Sequence, residues 1–434
     1  MVCMTICLLI SCKQKGDYSS YISNPFLYCN TVKQLNNVVL ENNFPPMIAS
    51  RNYVYANIAA YEVVASFDNR FVSLAGQIKH LPAFPKTDTA NVSYQLAALL
   101  AFCKVGEAVT FPEGSMQTYV DKIKHDADSA GVSSNVINAS QRFADSMSAH
   151  IIRWSKKDNY LQLRTAPKFA ITTDEGRWVP TPPMYAQALE PHWMEIRPMV
   201  MDSASQFKPT PHPTYSISNI SSDFYKALLE VKAIGDSLTE EQKHIADFWD
   251  DNPFKMNVSG HIMFATKKFS PSGHWMNIVG IGAQKAGADF STTVAAYAQT
   301  SIALFDAFIS CWDEKYRSNL VRPESLINKY IASDWQPYIQ TPPFPSHTSG
   351  HATISAAAAE TMTNWFGNNL SFTDTSLLEF GIKNRQIESF RLAAREAAMS
   401  RLYGGIHYRF DNEHGTEAGA RLGEFIVQRL KLKK

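Results

Sequence analysis

Apolar residues recur at three- and four-residue spacing over 46–66 (PMIASRNYVYANIAAYEVVAS), 90–104, 133–154, 222–249, 273–287, 290–320, 351–366, 384–402 and 415–431. That is the period of a helix with one buried face. Ser, Thr, Asp or Asn often stands where such a helix would begin, as in Ser221-Ser222-Asp223 and Thr239-Glu240-Glu241, supplying a side-chain acceptor for the first free N–H groups. Alternating β-branched segments are scarce, so the pattern predicts an all-α fold. One long stretch, 158–220, breaks it with Pro167, Pro180, Pro182, Pro183, Pro191, Pro198, Pro209, Pro211 and Pro213. Proline loses a helical hydrogen bond and clashes with the preceding turn, so this is an ordered excursion or a linker. The expected organisation is an N-terminal helical half (43–157), a Pro-rich connecting segment (158–220) and a C-terminal helical half (221–434) carrying the chemistry.

Composition narrows the class. The chain has 434 residues, 45% hydrophobic and 19% charged, with 41 Lys and Arg against 40 Asp and Glu. A globular share of apolar residues excludes a disordered chain, and the near-neutral balance argues against a nucleic-acid partner. No uninterrupted apolar run reaches about 18 residues, so no membrane-spanning helix is expected. The first eleven residues, MVCMTICLLIS, suit the apolar region of an export signal. Leu9-Ile10-Ser11-Cys12 resembles a bacterial lipobox, which implies cleavage before Cys12 and a lipid on that cysteine. Residues 12–42 then read as a tether, and the protein as an exported lipoprotein, membrane-anchored at Cys12 on the periplasmic side. Cys29, Cys103 and Cys311 cannot all pair, so disulfides do not organise the fold.

Three clusters in the C-terminal half carry candidate chemistry. Lys315 and Arg322 are seven residues apart, two helical turns, so on one helix they would point the same way. Pro323 biases Arg322 out of the helical region and is expected to end the helix there. Pro345-Ser346-His347-Thr348-Ser349-Gly350-His351 precedes a strongly helical run. A helix N-terminus favours an anion through its free N–H groups and partial positive charge. Ser349 can donate a hydroxyl, Gly350 permits close approach, and His351 sits in the first turn. Ser400-Arg401-Leu-Tyr-Gly404-Gly405-Ile-His407 ends another helix, with a glycine turn that returns His407 towards Arg401. Asp411, four residues on, could orient the His407 ring if that stretch is helical. Each cluster also has a plain reading: an exposed basic helix end, a capping serine, a Gly-Gly stop.

Taken together they gather Lys315, Arg322 and Arg401. Like charges at ~4 Å repel by about 4 kcal/mol at an effective dielectric of 20, so an anion belongs among them. A tetrahedral oxyanion such as phosphate or vanadate suits guanidinium forks, and two histidines supply a nucleophile or ligand and an acid–base group.

The order K-x6-RP, then SGH, then SR-x5-H resembles the signature of type 2 phosphatidic acid phosphatases and vanadium-dependent haloperoxidases, over about 305–415. GRWVPTPP (176–183) and PHWMEIRP (191–198) extend a weaker likeness. The resemblance implies a fold of helical bundles with Lys315, Arg322, Ser349, Gly350 and Arg401 holding the oxyanion. His407 would be the vanadium ligand or the phosphatase nucleophile, and His351 the acid–base group. Phe344 would stand near the oxyanion, at a position that is Phe in chloroperoxidases and His in bromoperoxidases. The haloperoxidase branch, favoured by length and by Asp306–Lys315 and His407–Asp411, implies vanadate as cofactor and hydrogen peroxide and halide as substrates, Lys315 polarising the peroxide. The phosphatase branch implies no cofactor and a phosphate ester hydrolysed through phosphohistidine.

Other readings compete. Pro271-Ser272-Gly273-His274 spells the same motif earlier in the chain. It lacks a preceding K-x6-RP and falls before Lys315, so His274 is expected to pack or to support the site from behind. His347 and His351, or His407, Asp411 and His414, have zinc-like spacing, but three cations would repel Zn²⁺. A non-catalytic glycan-binding lipoprotein could use the many aromatic residues, although core packing accounts for most of them.

Overall fold

The computed structural model describes residues 18–252, 255–259 and 262–434. The expected export signal and Cys12 lie outside them. The described residues before the Pro-rich segment form α1 (Ser19–Ile22), α2 (Pro25–Glu41), α3 (Pro46–Phe67), α4 (Tyr94–Ala108), α5 (Gln117–Ser129) and α6 (Ser134–Ser155), with a short α7 (Tyr160–Leu163) at its start. After it come α8 (Asp223–Gly235), α9 (Glu240–Phe248), α10 (Pro271–Lys285), α11 (Phe290–Ser318), α12 (Pro323–Tyr330), α13 (Gly350–Phe366), α14 (Phe390–Tyr403) and α15 (Arg409–Arg429). Two short 3-10 helices (Trp193–Glu195 and Leu378–Phe380) and two antiparallel strand pairs complete the described elements, β1 (Lys255–Ser259) with β2 (Ile262–Thr266) and β3 (Phe372–Asp374) with β4 (Arg385–Ile387). The fold is all-α, as the periodicity predicts.

Helix starts follow the local chemistry. Ser93, Ser133, Ser222, Ser270, Asp289 and Ser349 each accept a hydrogen bond from an N–H of the first turn, satisfying donors that helix geometry leaves free. The expected helix over 222–249 is two helices. Its C-cap at Asp236 ends α8, and the Thr239–Gln242 capping box starts α9. The expected helix over 384–402 begins only at Phe390, because 385–387 pair as β4. The tether expected over 12–42 is corrected as well. Pro25–Glu41 is a helix whose Tyr28, Val32, Leu35 and Val39 are buried, and Tyr28 donates to Asn57 of α3 at 2.8 Å. Polar Ser, Tyr and Asn positions made it look solvated.

One core cluster runs from Ile22 to Leu432 and draws on helices from both sides of the Pro-rich segment. At its centre is α11. Its length and hydropathy would let it cross a membrane, yet its apolar window is wholly buried inside the protein. Asp306, on α11, accepts hydrogen bonds from the backbone N–H of Met199, Val200 and Met201 at 2.7–3.1 Å. Burial pushes its carboxyl up to about 6 against the pull of those donors. The Pro-rich segment is thereby fastened to the central helix. It is fastened again where Trp312 Nε1 and Tyr316 Oη donate to the Leu189 carbonyl at 3.2 and 2.7 Å.

Helices α13 and α15 meet through glycine. Gly415, Gly419 and Gly423 recur every four residues, one stripe of α15. A Cβ on Gly419 would fall 2.0 Å from the Thr353 carbonyl oxygen, and one on Gly423 2.7 Å from that of Ala357. No side chain fits there without separating the helices. Gly419→Ala is expected to destabilise the fold by about 3 kcal/mol, read as a lowered melting temperature. Unchanged melting would mean that α13 and α15 are not in backbone contact.

Candidate active site

The site forms where the starts of α12, α13 and α15 and the end of α14 converge beside the last turn of α11. Ser349 caps α13, accepting from Ala352 N at 3.4 Å, so the plain capping role is met while the hydroxyl keeps its proton to donate. The Ser349 N–H donates to the Asp411 carbonyl at 3.0 Å, tying the start of α13 to the first turn of α15.

Asp411 is the hub. It is fully buried, and its Oδ2 accepts from His407 Nδ1 at 2.9 Å and from the Ser346 hydroxyl. Its Oδ1 faces His347 Nδ1 at 3.1 Å. Burial opposes its charge, but hydrogen bonds from His347 and His407 hold the carboxyl well below the usual range. Arg322 Nη1 lies 3.0 Å from His407 Nε2. Arginine can only donate, so Nε2 accepts and the ring proton sits on Nδ1, facing Asp411. Burial, then the Arg322 charge, keeps His407 neutral, far below the ordinary histidine range. Its Nε2 lone pair is therefore presented to the cationic side of the pocket.

Arg322 is 0% exposed. Its Nε donates to the Phe344 carbonyl and its Nη1 to that of Ile406, both at 2.8 Å, while Nη2 has no partner. Burial lowers its pKa to about 10. Lys315, also 0% exposed, donates to the carbonyls of Pro345 and Ser346 at 2.9 and 3.0 Å and to that of Thr348. Burial pushes it down to about 7. The two cations flank the Phe344 ring, with Lys315 Nζ 4.9 Å and Arg322 Cζ 5.0 Å from its centroid. They do not share a helix as the spacing suggested. α11 ends at Ser318 with Asn319 in the left-handed region, and Arg322, extended before Pro323, is the cap position of α12. The proline effect on Arg322 is as expected; the helix simply ends four residues sooner. Arg401, 3% exposed, donates through Nη2 to the Trp249 carbonyl and through Nε to Ser400 Oγ at 3.0 Å.

A cavity of about 370 Å³ opens onto Gly350, His351, Arg401 and His407, with Trp312 and Phe344 in its largely apolar wall. The Pro-rich segment adds Met184 and Leu189. Lys315, Arg322 and Ser349 lie behind this lining. The structure thus brings together every residue that the three motifs singled out.

Other groups went unread in the sequence. Asp251 Oδ2 lies 3.7 Å from His351 Nε2, and the same carboxylate accepts from His274 Nδ1 at 2.9 Å. Burial, then the Arg401 charge, lowers His351 to about 4 although Asp251 favours its cation. Asp250-Asp251 after Phe248-Trp249 carries no spacing signal of its own. His347 is no zinc ligand beside His351: its ring turns to Asp411 and to the Thr210 carbonyl, 3.2 Å from Nε2. Among the described residues no group of three or more His, Cys, Asp or Glu could hold a metal ion.

Comparison with known proteins bears on the family and the fold. The family model described as the VCPO second helical-bundle domain matches residues 295–433. A bacterial vanadium-dependent iodoperoxidase of known structure is 42% identical, over 94% of this chain and 97% of its own, with a TM-score of 0.89. A bacterial vanadium-dependent chloroperoxidase in its holo form is 17% identical, over 89% of this chain and 94% of its own, with a TM-score of 0.64. Its apo form gives 15% identity, 89% and 95% coverage, and a TM-score of 0.65, and these two carry the fold alone. No match is found among curated proteins. With identity above two-fifths across nearly the whole of both chains, this protein belongs to the vanadium-dependent haloperoxidases.

Proposed function

We propose that the chain oxidises halide, iodide foremost, to hypohalous acid with hydrogen peroxide, at vanadate held by His407. Halide, peroxide and one proton yield hypohalous acid and water, two electrons passing from halide to peroxide oxygen. The observation that carries the reading is a neutral His407 whose proton Asp411 holds on Nδ1, so that Nε2, 3.0 Å from Arg322 Nη1, is the nitrogen that would ligate once that guanidinium turns to the anion's oxygens. Iodide rests on the likeness to the iodoperoxidase. Family membership makes the phosphatase and glycan-binding alternatives unnecessary.

The residues fit a tetrahedral oxyanion. Arg322 Nη2 and His351 Nε2 are buried polar atoms without a hydrogen bond, the latter with Asp251 Oδ2 at 3.7 Å, and three cations surround a helix N-terminus. His407 would be the ligand, with Arg322, Arg401, Ser349 and the Gly350 N–H binding the oxygens. When bound, vanadate supplies a Lewis-acidic centre at which peroxide becomes a two-electron oxidant for halide. Arg322 and Arg401 offset the anion's charge in a buried setting. Lys315 adds its charge from behind and, through the Pro345, Ser346 and Thr348 carbonyls, fixes the loop that leads into Ser349. His351 faces the cavity and can pass the proton that each turnover consumes. Apolar walls limit water around the halide. Residues 1–12 further support export as a lipoprotein held at Cys12; loss of labelled palmitate from Cys12→Ala expressed in a bacterium is the expected check.

Purified protein supplied with orthovanadate is expected to oxidise iodide with peroxide, and to lose that activity when phosphate competes. His407→Ala should abolish vanadate binding in equilibrium dialysis together with turnover, and Arg322→Ala should lower turnover by about 10²–10³-fold. Wild-type activity independent of vanadate would overturn the reading. A second expectation concerns pH. Burial and the Arg401 charge hold His351 neutral above about 4, and a neighbouring anion favours its cation. Its pKa, followed by NMR, should therefore rise when phosphate fills the site. No movement would place the anion elsewhere.

A further inference from the structure

The second Pro-Ser-Gly-His sequence ends in a histidine that the mechanism above does not use. His274 is 0% exposed, and each of its ring nitrogens meets a carboxylate. Nδ1 lies 2.9 Å from Asp251 Oδ1, and Nε2 lies 2.9 Å from Asp374 Oδ2, at the end of β3. A ring between two buried carboxylates donates from both nitrogens as the imidazolium. Burial works against that charge, but Asp251 and Asp374 push its pKa up to about 10. Trp249 stacks on the ring, centroids 4.7 Å apart at 28°, and Phe248 meets it edge-on at 5.3 Å.

Asp251 stands between two histidines. It is within hydrogen-bond reach of His274 and at 3.7 Å from His351 Nε2, beyond it. The charged groups facing His351 are Asp251 from the α9–β1 connection, Arg401 from α14 and His274 from α10. The Trp249 carbonyl, two residues before Asp251, accepts from Arg401, so whatever fixes this strip fixes both cavity-facing groups.

We propose that His274 is a positioning residue for halide oxidation: clamped by Asp374, it draws the Asp251 carboxylate towards itself and out of hydrogen-bond reach of His351, leaving His351 Nε2 without a hydrogen bond and able to face the oxyanion. This deepens the proposed function and rests on it for the reaction served.

Two neutral substitutions separate this from packing. The Asn amide nitrogen overlays histidine Nδ1, so His274→Asn keeps the donor to Asp251. The Gln amide nitrogen overlays Nε2, so His274→Gln keeps the donor to Asp374 and frees Asp251. Both remove the same charge and ring. In vanadate-loaded enzyme, His274→Gln is expected to lower kcat about tenfold, with the KM values for iodide and peroxide unchanged, and His274→Asn to stay within about threefold of wild type. In vanadate-free protein, NMR should show His351 titrating higher in His274→Gln than in His274→Asn, because a released Asp251 turns its charge on His351. Equal losses with equal His351 titrations would overturn the proposal in favour of packing. If neither variant folds, wild-type protein still decides: His274 should carry both ring protons throughout pH 6–8, and a singly protonated ring there would overturn it. These titrations need no vanadate, so they stand or fall separately from a wild type that fails to oxidise halide.

Discussion

Buried positive charge is the constraint from which the active site follows. Lys315 and Arg322 have no exposed surface, and Arg401 almost none. Removing such groups from water is costly unless their donors are satisfied. The carbonyls of 344–348 supply most of those partners, together with Ile406 and Trp249. Connections that look irregular are therefore shaped by the cations they serve. The buried carboxylate of Asp411 is engaged by histidines and Ser346 rather than by an arginine. The Arg322 Nη2 donor is left without a protein partner beside the cavity, the condition for capturing an oxyanion.

The scaffold keeps that arrangement from relaxing. α13 brings Ser349, Gly350 and His351, α15 brings Asp411, and the glycine stripe locks one backbone against the other. The Pro-rich segment forms part of the cavity wall and is itself fastened by Asp306 and by Trp312 and Tyr316. Side chains of α11 thus serve twice: Asp306, Trp312 and Tyr316 hold the cover, and Lys315, between the last two, turns to the site. That dual load accounts for a helix buried along nearly its whole length.

Much of this was legible in the sequence. Helical periodicity found the central helices within a few residues, and the grouping of Lys315, Arg322, Ser349-Gly350-His351, Arg401 and His407 survives in three dimensions. What failed had local causes. The spacing of Lys315 and Arg322 is compatible with one helix, but Asn319 adopts a left-handed turn that no periodicity announces. Pro25–Glu41 looked like a tether because its buried face includes Tyr28, Thr31 and Asn36, polar residues satisfied by partners far along the chain. Asp251 and Asp374 are over one hundred residues apart, and only the tertiary fold shows that one imidazole joins them.

The two Ser-Gly-His sequences show where motif reading stops. In α13 the serine is the cap, so His351 is the second helical residue. In α10 the cap is Ser270, two positions before the motif's serine, and His274 is the fourth helical residue. Two residues are about 200° of helix rotation. The same letters therefore send one histidine into the cavity and the other into the interior. Gly273 confirms the difference in use: a Cβ there would meet Asn36 Oδ1 at 2.3 Å, whereas one on Gly350 would meet only Trp312 at 3.8 Å. One glycine makes room for a neighbouring helix, the other leaves room beside the cavity. An interior histidine must then find its counter-charges in protein, and the two carboxylates on His274 are that answer. One of them borders the cavity-facing histidine, so the two starts are coupled through Asp251.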